Sequence, residues 1–441
     1  MNRHSLFGTD GIRTRVGQSP LTPPELVTLG SAIGTWIQQK HSGASILIAH
    51  DTRHSAPLVK AALKAGLLQH PLTLFDAQVL PTPALFHQVM HGPYEYGIMI
   101  TASHNPYHDN GIKIITKSTG KLAPEDERTI TELYYDACTT LSYEDLGKDL
   151  ADTQAQNRYL TALKALFPEN FLAGITLVID CAHGSYASLA PQFLQMFGAR
   201  IITTGITPNG KNINENCGSL HPQQMQELVI TTGAHAGFAF DGDGDRLVAI
   251  GRDGACKDGD ELLAFLLQHP AYHNEPTVVG TILSNQGLAH HLARHGKKLE
   301  RTPVGDKHVI ERMKGIQSLV GGEPSGHLIL RDFTDTSDGL FTLLRLCETA
   351  LHTNDWNFIS FTKFPHIMLN VPVAQRKDLS ISPFTDIIAA QQTNLIDGRI
   401  VVRYSGTEPL LRIMVEAQNA NTAHAISSLL SEQLTQALTK D

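Results

Sequence analysis

The segment Phe238-Ala-Phe-Asp241-Gly-Asp243-Gly-Asp245-Arg246 places three carboxylates on alternate residues, separates them with glycines and ends on an arginine. On an extended backbone this spacing brings Asp241, Asp243 and Asp245 to one side, and Gly242 and Gly244 let the chain curl so that the acids converge. Converging acids repel unless a cation sits among them, and hard carboxylate oxygens suit Mg²⁺ or Ca²⁺. A calcium loop of the EF-hand type needs Gly at its sixth position and Glu at its twelfth; here those are Arg246 and Arg252, which excludes it. Mg²⁺ held by three acids keeps open positions that take water and phosphate oxygens, so the chemistry indicated is phosphate chemistry.

Three further stretches fit it. Thr101-Ala-Ser103-His104-Asn105-Pro106, followed by Asp109-Asn-Gly-Ile-Lys113, puts a serine on a turn at the end of the apolar run Tyr96 to Ile100. No G-x-S-x-G elbow surrounds this serine, which disfavours acyl transfer; beside a magnesium site it is a candidate phosphoryl carrier. Arg399-Ile-Val-Val-Arg403-Tyr-Ser405-Gly406-Thr407-Glu-Pro-Leu-Leu-Arg412 offers hydroxyls, turn amides and guanidinium forks, a set suited to a phosphate dianion. Gly321-Gly-Glu323-Pro-Ser325-Gly-His327 offers hydrogen bonds to sugar hydroxyls and a base near neutral pH. Arginines also stand on turns at Arg13 and Arg53.

These stretches need elements to hold them. Ile46 to Asp51, Ile175 to Asp180 and Thr277 to Leu283 read as strands, each followed by a helix: Leu58 to Leu68, Ser188 to Phe197 and Leu288 to His295. The pattern predicts three similar α/β domains with mixed sheets, at 1–148, 149–252 and 253–358, the last closed by a helix from Asp338 to Leu351. From 359 to 441 the pattern changes to three strands (Ile367 to Val373, Arg399 to Arg403, Leu411 to Glu416) and a helix with Ile426, Leu429, Leu430, Leu434 and Leu438 on one face, a smaller C-terminal α+β domain.

The 441 residues are too many for one ordinary core. A net charge of −8 excludes an electrostatic grip on nucleic acid or anionic membrane, so an anionic substrate must be held by arginines placed locally. No stretch reaches the ~18 apolar residues of a membrane span, and the N-terminus has no apolar run after its basic residues, which reads as a cytoplasmic protein. Five widely spaced cysteines without a CxxC pair read as thiols rather than disulfides or a zinc site.

Taken in order, Phe7-Gly-Thr-Asp-Gly-Ile-Arg13, Asp51-Thr-Arg53, Pro81-Thr-Pro83, Thr101 to Pro106, Asp180-Cys-Ala-His-Gly184, Pro208-Asn-Gly with Asn212-Ile-Asn214, Asp241 to Arg246, Val304-Gly-Asp306, Gly321 to His327 and Arg403 to Pro409 closely resemble the α-D-phosphohexomutases, nearest the branch acting on glucosamine phosphate. The resemblance runs from residue 7 to 416. It implies four domains around a central cleft, with Ser103 as a phosphoserine that shares one Mg²⁺ with Asp241, Asp243 and Asp245. It implies that glucosamine 6-phosphate is phosphorylated at O1, that the 1,6-bisphosphate turns end over end, and that its 6-phosphate returns to Ser103 to leave glucosamine 1-phosphate for UDP-N-acetylglucosamine and cell-wall precursor synthesis.

By the same resemblance Lys113 and His327 are the general acid/base groups, Arg13 and His104 line the serine, and Arg246 sits beside the metal loop. Glu323 and Ser325 hold the sugar hydroxyls. Arg403, Ser405, Gly406, Thr407 and Arg412 anchor the phosphate that is not reacting. The partners expected are a hexosamine phosphate and its 1,6-bisphosphate, without nucleic acid or membrane, for a monomer or homodimer. The chain departs from the family pattern at Thr14, His235, Lys307 and Pro324, the last of which removes a backbone donor from the sugar loop. Phosphoglucomutase or phosphomannomutase activity, a magnesium phosphatase and a non-catalytic sugar-phosphate sensor are the alternatives; intact Ser103, Lys113 and aspartates argue against the sensor.

Overall fold

A computed structural model of the chain describes residues 5–8, 10–136, 145–405 and 409–439. Gly406 and Thr407 of the expected phosphate loop, and Cys138, lie outside the described residues; the other four cysteines are free thiols. Among the described residues no helix is long and apolar enough to cross a membrane.

The first three sheets repeat one plan. In the first, Ser45–His50 lies between two parallel partners, Thr73–Val79 and Tyr96–Ile100, and Asp109–Thr116 returns antiparallel to the latter. In the second, Thr176–Asp180 lies between Arg200–Thr204 and Ala236–Phe240, with Leu247–Ile250 returning. In the third, Thr277–Thr281 lies between Lys298–Thr302 and Val320–Gly322, with Leu328–Leu330 returning. Each central strand is apolar because helices cover both faces of its sheet: Ile46 to Ala49, Leu177 to Ile179 and Val278 to Val279 are all buried. The first sheet gains Ile12–Arg15 on one edge and Lys148–Ala151 on the other, so the boundary expected at 148 falls at the start of a strand that pairs with Thr73–Val79.

This repetition gives the functional stretches a common address. The turn between the third strand and its antiparallel return carries Ser103 in the first unit, Asp241 to Arg246 in the second and Glu323 to His327 in the third. It leaves the carboxyl end of a parallel strand, where open α/β sheets bind ligands.

Residues after 365 form an antiparallel sheet, His366–Pro372, Leu410–Glu416 and Arg399–Tyr404 in spatial order, backed by the helices Phe384–Gln392 and Ala420–Thr439. Leu411, Ile413 and Val415 pack on Ile426, Leu430 and Leu434. Leu429, expected on the packed face, is exposed, because the contact stripe follows the i, i+4 row and leaves it on the flank. This unit has its own core, whereas one continuous core joins the other three through Leu47, Phe86, Phe193, Phe238, Leu263 and Phe341.

Candidate active site

Ser103 is buried and its backbone lies in the left-handed region, with φ of 52°, a conformation that costs energy for a residue with a side chain. The surroundings hold it there. Ser103 N donates to Thr101 Oγ1 (2.9 Å), and Thr101 Oγ1 donates to Asp51 Oδ2 (2.6 Å). Asp51 Oδ2 also accepts from Arg53 Nε at 2.8 Å, and both side chains are fully buried. The Arg53 guanidinium donates to four carbonyls of the serine turn: Ser103 (2.8 Å), Asn105 (2.8 Å), Pro106 (2.5 Å) and Asp109 (3.0 Å). From the second unit, Asn214 Nδ2 donates to Ser103 O at 2.9 Å.

The metal loop closes on this turn from the other side. Ser103 Oγ donates to Asp241 Oδ2 at 2.6 Å, and Asp241 Oδ1 accepts from Gly244 N and Arg246 N at 3.1 Å each, which curls the loop. Gly242 is required for closeness: a Cβ there would stand 2.7 Å from Ser103 O and 2.9 Å from Asn214 Nδ2. Gly244 is required for conformation, with φ of +79°, and Tyr186 fills the space where its side chain would be. Thr82 Oγ1 donates to Asp243 Oδ2 at 2.6 Å.

Asp241, Asp243 and Asp245 are all buried and each offers an oxygen within 4.8 Å of the others. Within this group the buried oxygens Asp243 Oδ1 and Asp245 Oδ1 have no hydrogen-bond partner among the described residues. Such orphaned acceptors are costly unless a cation completes them, and an all-oxygen donor set beside a serine hydroxyl fits Mg²⁺. Burial, and then the neighbouring Asp245 and Asp243, hold the Asp241 carboxyl well above its usual range. Burial acts the same way on Asp245, but Lys113, His327 and Arg246 outweigh it and hold that group ionised.

Lys113 is brought to the triad by the strand Asp109–Thr116, and its Nζ lies 2.9 Å from Asp243 Oδ2 and 3.0 Å from Asp245 Oδ2. Burial disfavours its charge, yet Asp10, Asp243 and Asp245 prevail and keep it an ammonium. His327 arrives from the third unit, with Nε2 3.0 Å from Asp306 Oδ2 and Nδ1 3.8 Å from Asp245 Oδ1. Burial lowers its basicity, but Asp306 and Asp245 raise it to about 8. His104 Nδ1 lies 3.4 Å from Ser103 Oγ. Burial, with Arg246 and Arg13, lowers it to about 4, so this ring is neutral at neutral pH. Arg13 itself pairs with Asp10 at 2.5 Å.

The structure therefore brings Ser103, His104, the three aspartates, Lys113 and His327 together. Glu323 Oε1 accepts from Gly305 N at 3.0 Å, while Ser325 is exposed at the tip of the same turn. Arg403 and Arg412 face one another across two antiparallel strands and line a separate small cavity with Leu283 of the third unit. Burial and then Arg412 lower the basicity of Arg403. Two guanidinium groups in directly opposed positions repel, and a bridging dianion relieves that cost. Ser405 O accepts from Arg376 Nη2 at 2.6 Å. Residue-type reasoning gave Lys121 no role, since a lone lysine after a glycine carries no local signal, and it touched Asp306 only within a motif; both proved to be ion-paired at the site.

The chain belongs to the phosphoglucomutase/phosphomannomutase family. The models of its α/β/α domains I, II and III match residues 4–138, 157–254 and 258–357, and that of its C-terminal domain matches 368–432. Within it, the phosphoglucosamine mutase of Marinobacter nauticus is 39% identical over 429 residues, 96% of either chain. A phosphoglucomutase/phosphomannomutase family protein from Burkholderia thailandensis shares the fold with a TM-score of 0.81 at 21% identity, over 98% of this chain and 97% of that one. The N-acetylphosphoglucosamine mutase of Aspergillus fumigatus, solved with GlcNAc-6P and magnesium, has a TM-score of 0.70 at 16% identity, over 98% of this chain and 96% of that one.

Proposed function

We propose that this chain is an intramolecular phosphotransferase that interconverts glucosamine 6-phosphate and glucosamine 1-phosphate in the cytoplasm, with Ser103 as the phosphoryl carrier. The observation that carries the reading is the meeting of Ser103 Oγ with Asp241 at 2.6 Å inside a triad whose orphaned oxygens fit a divalent ion. Near full-length identity to a phosphoglucosamine mutase supports the choice of sugar.

Asp241, Asp243, Asp245 and Ser103 would hold Mg²⁺, which supplies charge neutralisation to a phosphoryl group in transfer. In the forward direction the sugar 1-hydroxyl forms a new P–O bond as the Ser103 P–O bond breaks. Of Lys113 and His327, one takes the 1-hydroxyl proton and the other gives a proton to Ser103 Oγ, which ends as a hydroxyl held by Asp241. The 1,6-bisphosphate then turns over, its 6-phosphate returns to Ser103, and the freed 6-oxygen takes a proton. Lys113 and His327 flank the triad and serve as the proton donor and acceptor of the two halves. Glu323 and Ser325 face the sugar hydroxyls. Arg403, Ser405, Gly406, Thr407 and Arg412 hold the phosphate that is not reacting, and because that anchor accepts either end of the sugar its binding energy serves both half-reactions. Arg246 and Arg13 add positive charge beside the serine.

Steady-state rates on glucosamine, glucose and mannose phosphates, with Mg²⁺ and a trace of the matching 1,6-bisphosphate, test the reading. Fastest turnover of glucosamine phosphate is expected. Preference for glucose or mannose phosphate would instead assign the sugar to the Pro324 departure and make this a phosphoglucomutase or phosphomannomutase. Continuous release of inorganic phosphate would make it a phosphatase.

A further inference from the structure

Six ionisable groups close a ring of alternating charge where the first and third units meet each other and the metal loop of the second. Asp10 lies 3.0 Å from Lys113 Nζ through Oδ2 and 2.9 Å from Lys121 Nζ through Oδ1. Lys121 pairs with Asp306 Oδ2, and the same oxygen lies 3.0 Å from His327 Nε2. His327 Nδ1 lies 3.8 Å from Asp245 Oδ1, and Asp245 Oδ2 lies 3.0 Å from Lys113 Nζ, which completes the ring. All members except His327 line a cavity of about 40 Å³ at the seam.

Asp10, Lys121 and Asp306 are the three members of this ring that touch neither the metal triad nor the serine, and of these Lys121 and Asp306 join the first unit to the third. Lys121 ends the short strand Gly120–Lys121 of the first sheet, whereas Asp306 opens the helix Asp306–Ile316 of the third unit, where a helix N-terminus favours an acid. Stability alone does not explain them, because an ion pair drawn this far out of water is seldom better than an apolar contact of the same volume. The same cavity is walled by Phe7, Phe86, Ile114, Ile115 and Leu122, so an apolar seam was within reach. What the pair does achieve is geometric. Asp306 Oδ2 stands 3.0 Å from His327 Nε2 and Asp245 Oδ1 stands 3.8 Å from Nδ1, so the ring is held between two carboxylates of different units. Lys121 ties Asp306 to Asp10, and Asp10 in turn holds the Lys113 ammonium.

We propose that Lys121 and Asp306 are positioning residues for the phosphoryl transfer: the pair pins His327 and, through Asp10, Lys113 at a fixed separation across the seam between two units. This rests on the mutase reading given above. It assigns a catalytic contribution to two side chains that contact neither Ser103 nor the aspartate triad.

The test uses the full chain with Lys121→Met, Asp306→Asn and the conservative Lys121→Arg, whose fork can bridge two carboxylates. On glucosamine 6-phosphate with Mg²⁺, Lys121→Met and Asp306→Asn are expected to lower kcat by about 10- to 100-fold, comparable with the loss of a partner behind a metal-bound histidine. KM should stay within about three-fold, as a role confined to holding His327 and Lys113 in place requires. Lys121→Arg should recover most of the loss. A loss carried by KM alone, a kcat near that of the unaltered chain, or Lys121→Arg no better than Lys121→Met would overturn the proposal. So would unfolding of both Lys121→Met and Asp306→Asn, which would make the pair merely structural.

A second arm does not depend on turnover. In histidine-¹⁵N-labelled protein, with the His327 signal assigned by its disappearance in His327→Gln, Asp306→Asn should shift the ring nitrogens as the carboxylate charge beside Nε2 is removed. An unmoved signal contradicts the pinning even if the unaltered chain turns over no hexose phosphate; that second result would count against the mutase reading alone.

Discussion

Ser103 Oγ lies 2.6 Å from Asp241 Oδ2, and the two residues occupy the same turn of two repeated units. Each follows the third strand of its sheet, so a repeated fold aims a hydroxyl and a carboxylate at one another from turns 138 residues apart. The pair is buried, which strengthens every charge interaction a phosphoryl group would meet there.

Asp243 contributes to that site through both oxygens, one taken by Thr82 and Lys113 and one orphaned. Asp243→Asn is expected to weaken Mg²⁺ affinity and to lower kcat by about 10²-fold, about 2.7 kcal/mol of lost charge stabilisation. Metal titration beside steady-state kinetics checks it. Unchanged metal affinity with unchanged kcat would remove Asp243 from the ligand set.

Gly242 separates the metal loop from the serine turn by so little that a methyl group would meet Ser103 O at 2.7 Å, a backbone atom that cannot swing aside. Gly242→Ala should cost about 1–3 kcal/mol of stability as an overpacked contact, and reduce turnover further by moving the serine. Urea denaturation with parallel kcat measurement decides this; a variant as stable and active as the original would show that the two loops yield freely.

Arg53 spans the serine turn with bonds to four carbonyls and pairs with Asp51 inside the protein. Arg53→Met leaves Asp51 buried with its charge uncompensated and should destabilise by about 3–5 kcal/mol. Hydrogen exchange should show the amides of residues 103–109 opening faster than the rest of the first sheet. Unaltered protection there would mean that the turn holds itself.

His87 stacks on Phe333 at 5.1 Å, and burial together with His91 lowers its basicity to about 4 from the ordinary 6.5. Between those values the unfolded chain binds the proton and the folded chain does not. Its contribution to stability is therefore complete above pH 6.5 and is lost as pH falls toward 4. His87→Phe should flatten the fall of the urea midpoint over that range; parallel curves for the two proteins would contradict the assignment.

Much of this was legible in the sequence, for identifiable reasons. Strands such as Tyr96–Ile100 announce themselves because burial on both faces demands an unbroken apolar run, and the aspartate triad because its spacing is set by one local loop. The helix face was misjudged at Leu429 because sequence spacing does not say where a partner sheet ends. The common turn shared by Ser103, Asp241 and Glu323 was invisible, since it is a property of strand pairing between distant segments. Lys121 escaped for the same reason. Its partners lie 111 residues before it and 185 after, and nothing local marks a residue whose role is to join two units.

The central claim is that Ser103 carries a phosphoryl group which it gives to, and recovers from, a hexosamine phosphate. The most direct measurement is peptide mass spectrometry of the chain after incubation with Mg²⁺ and glucosamine 1,6-bisphosphate labelled in its phosphates, and again after a chase with unlabelled glucosamine 6-phosphate. One labelled phosphoryl group on the peptide holding Ser103, lost to the sugar in the chase and absent throughout in Ser103→Ala, is the expected result. Label that never reaches this peptide, in protein that still turns over the sugar phosphate, would contradict it.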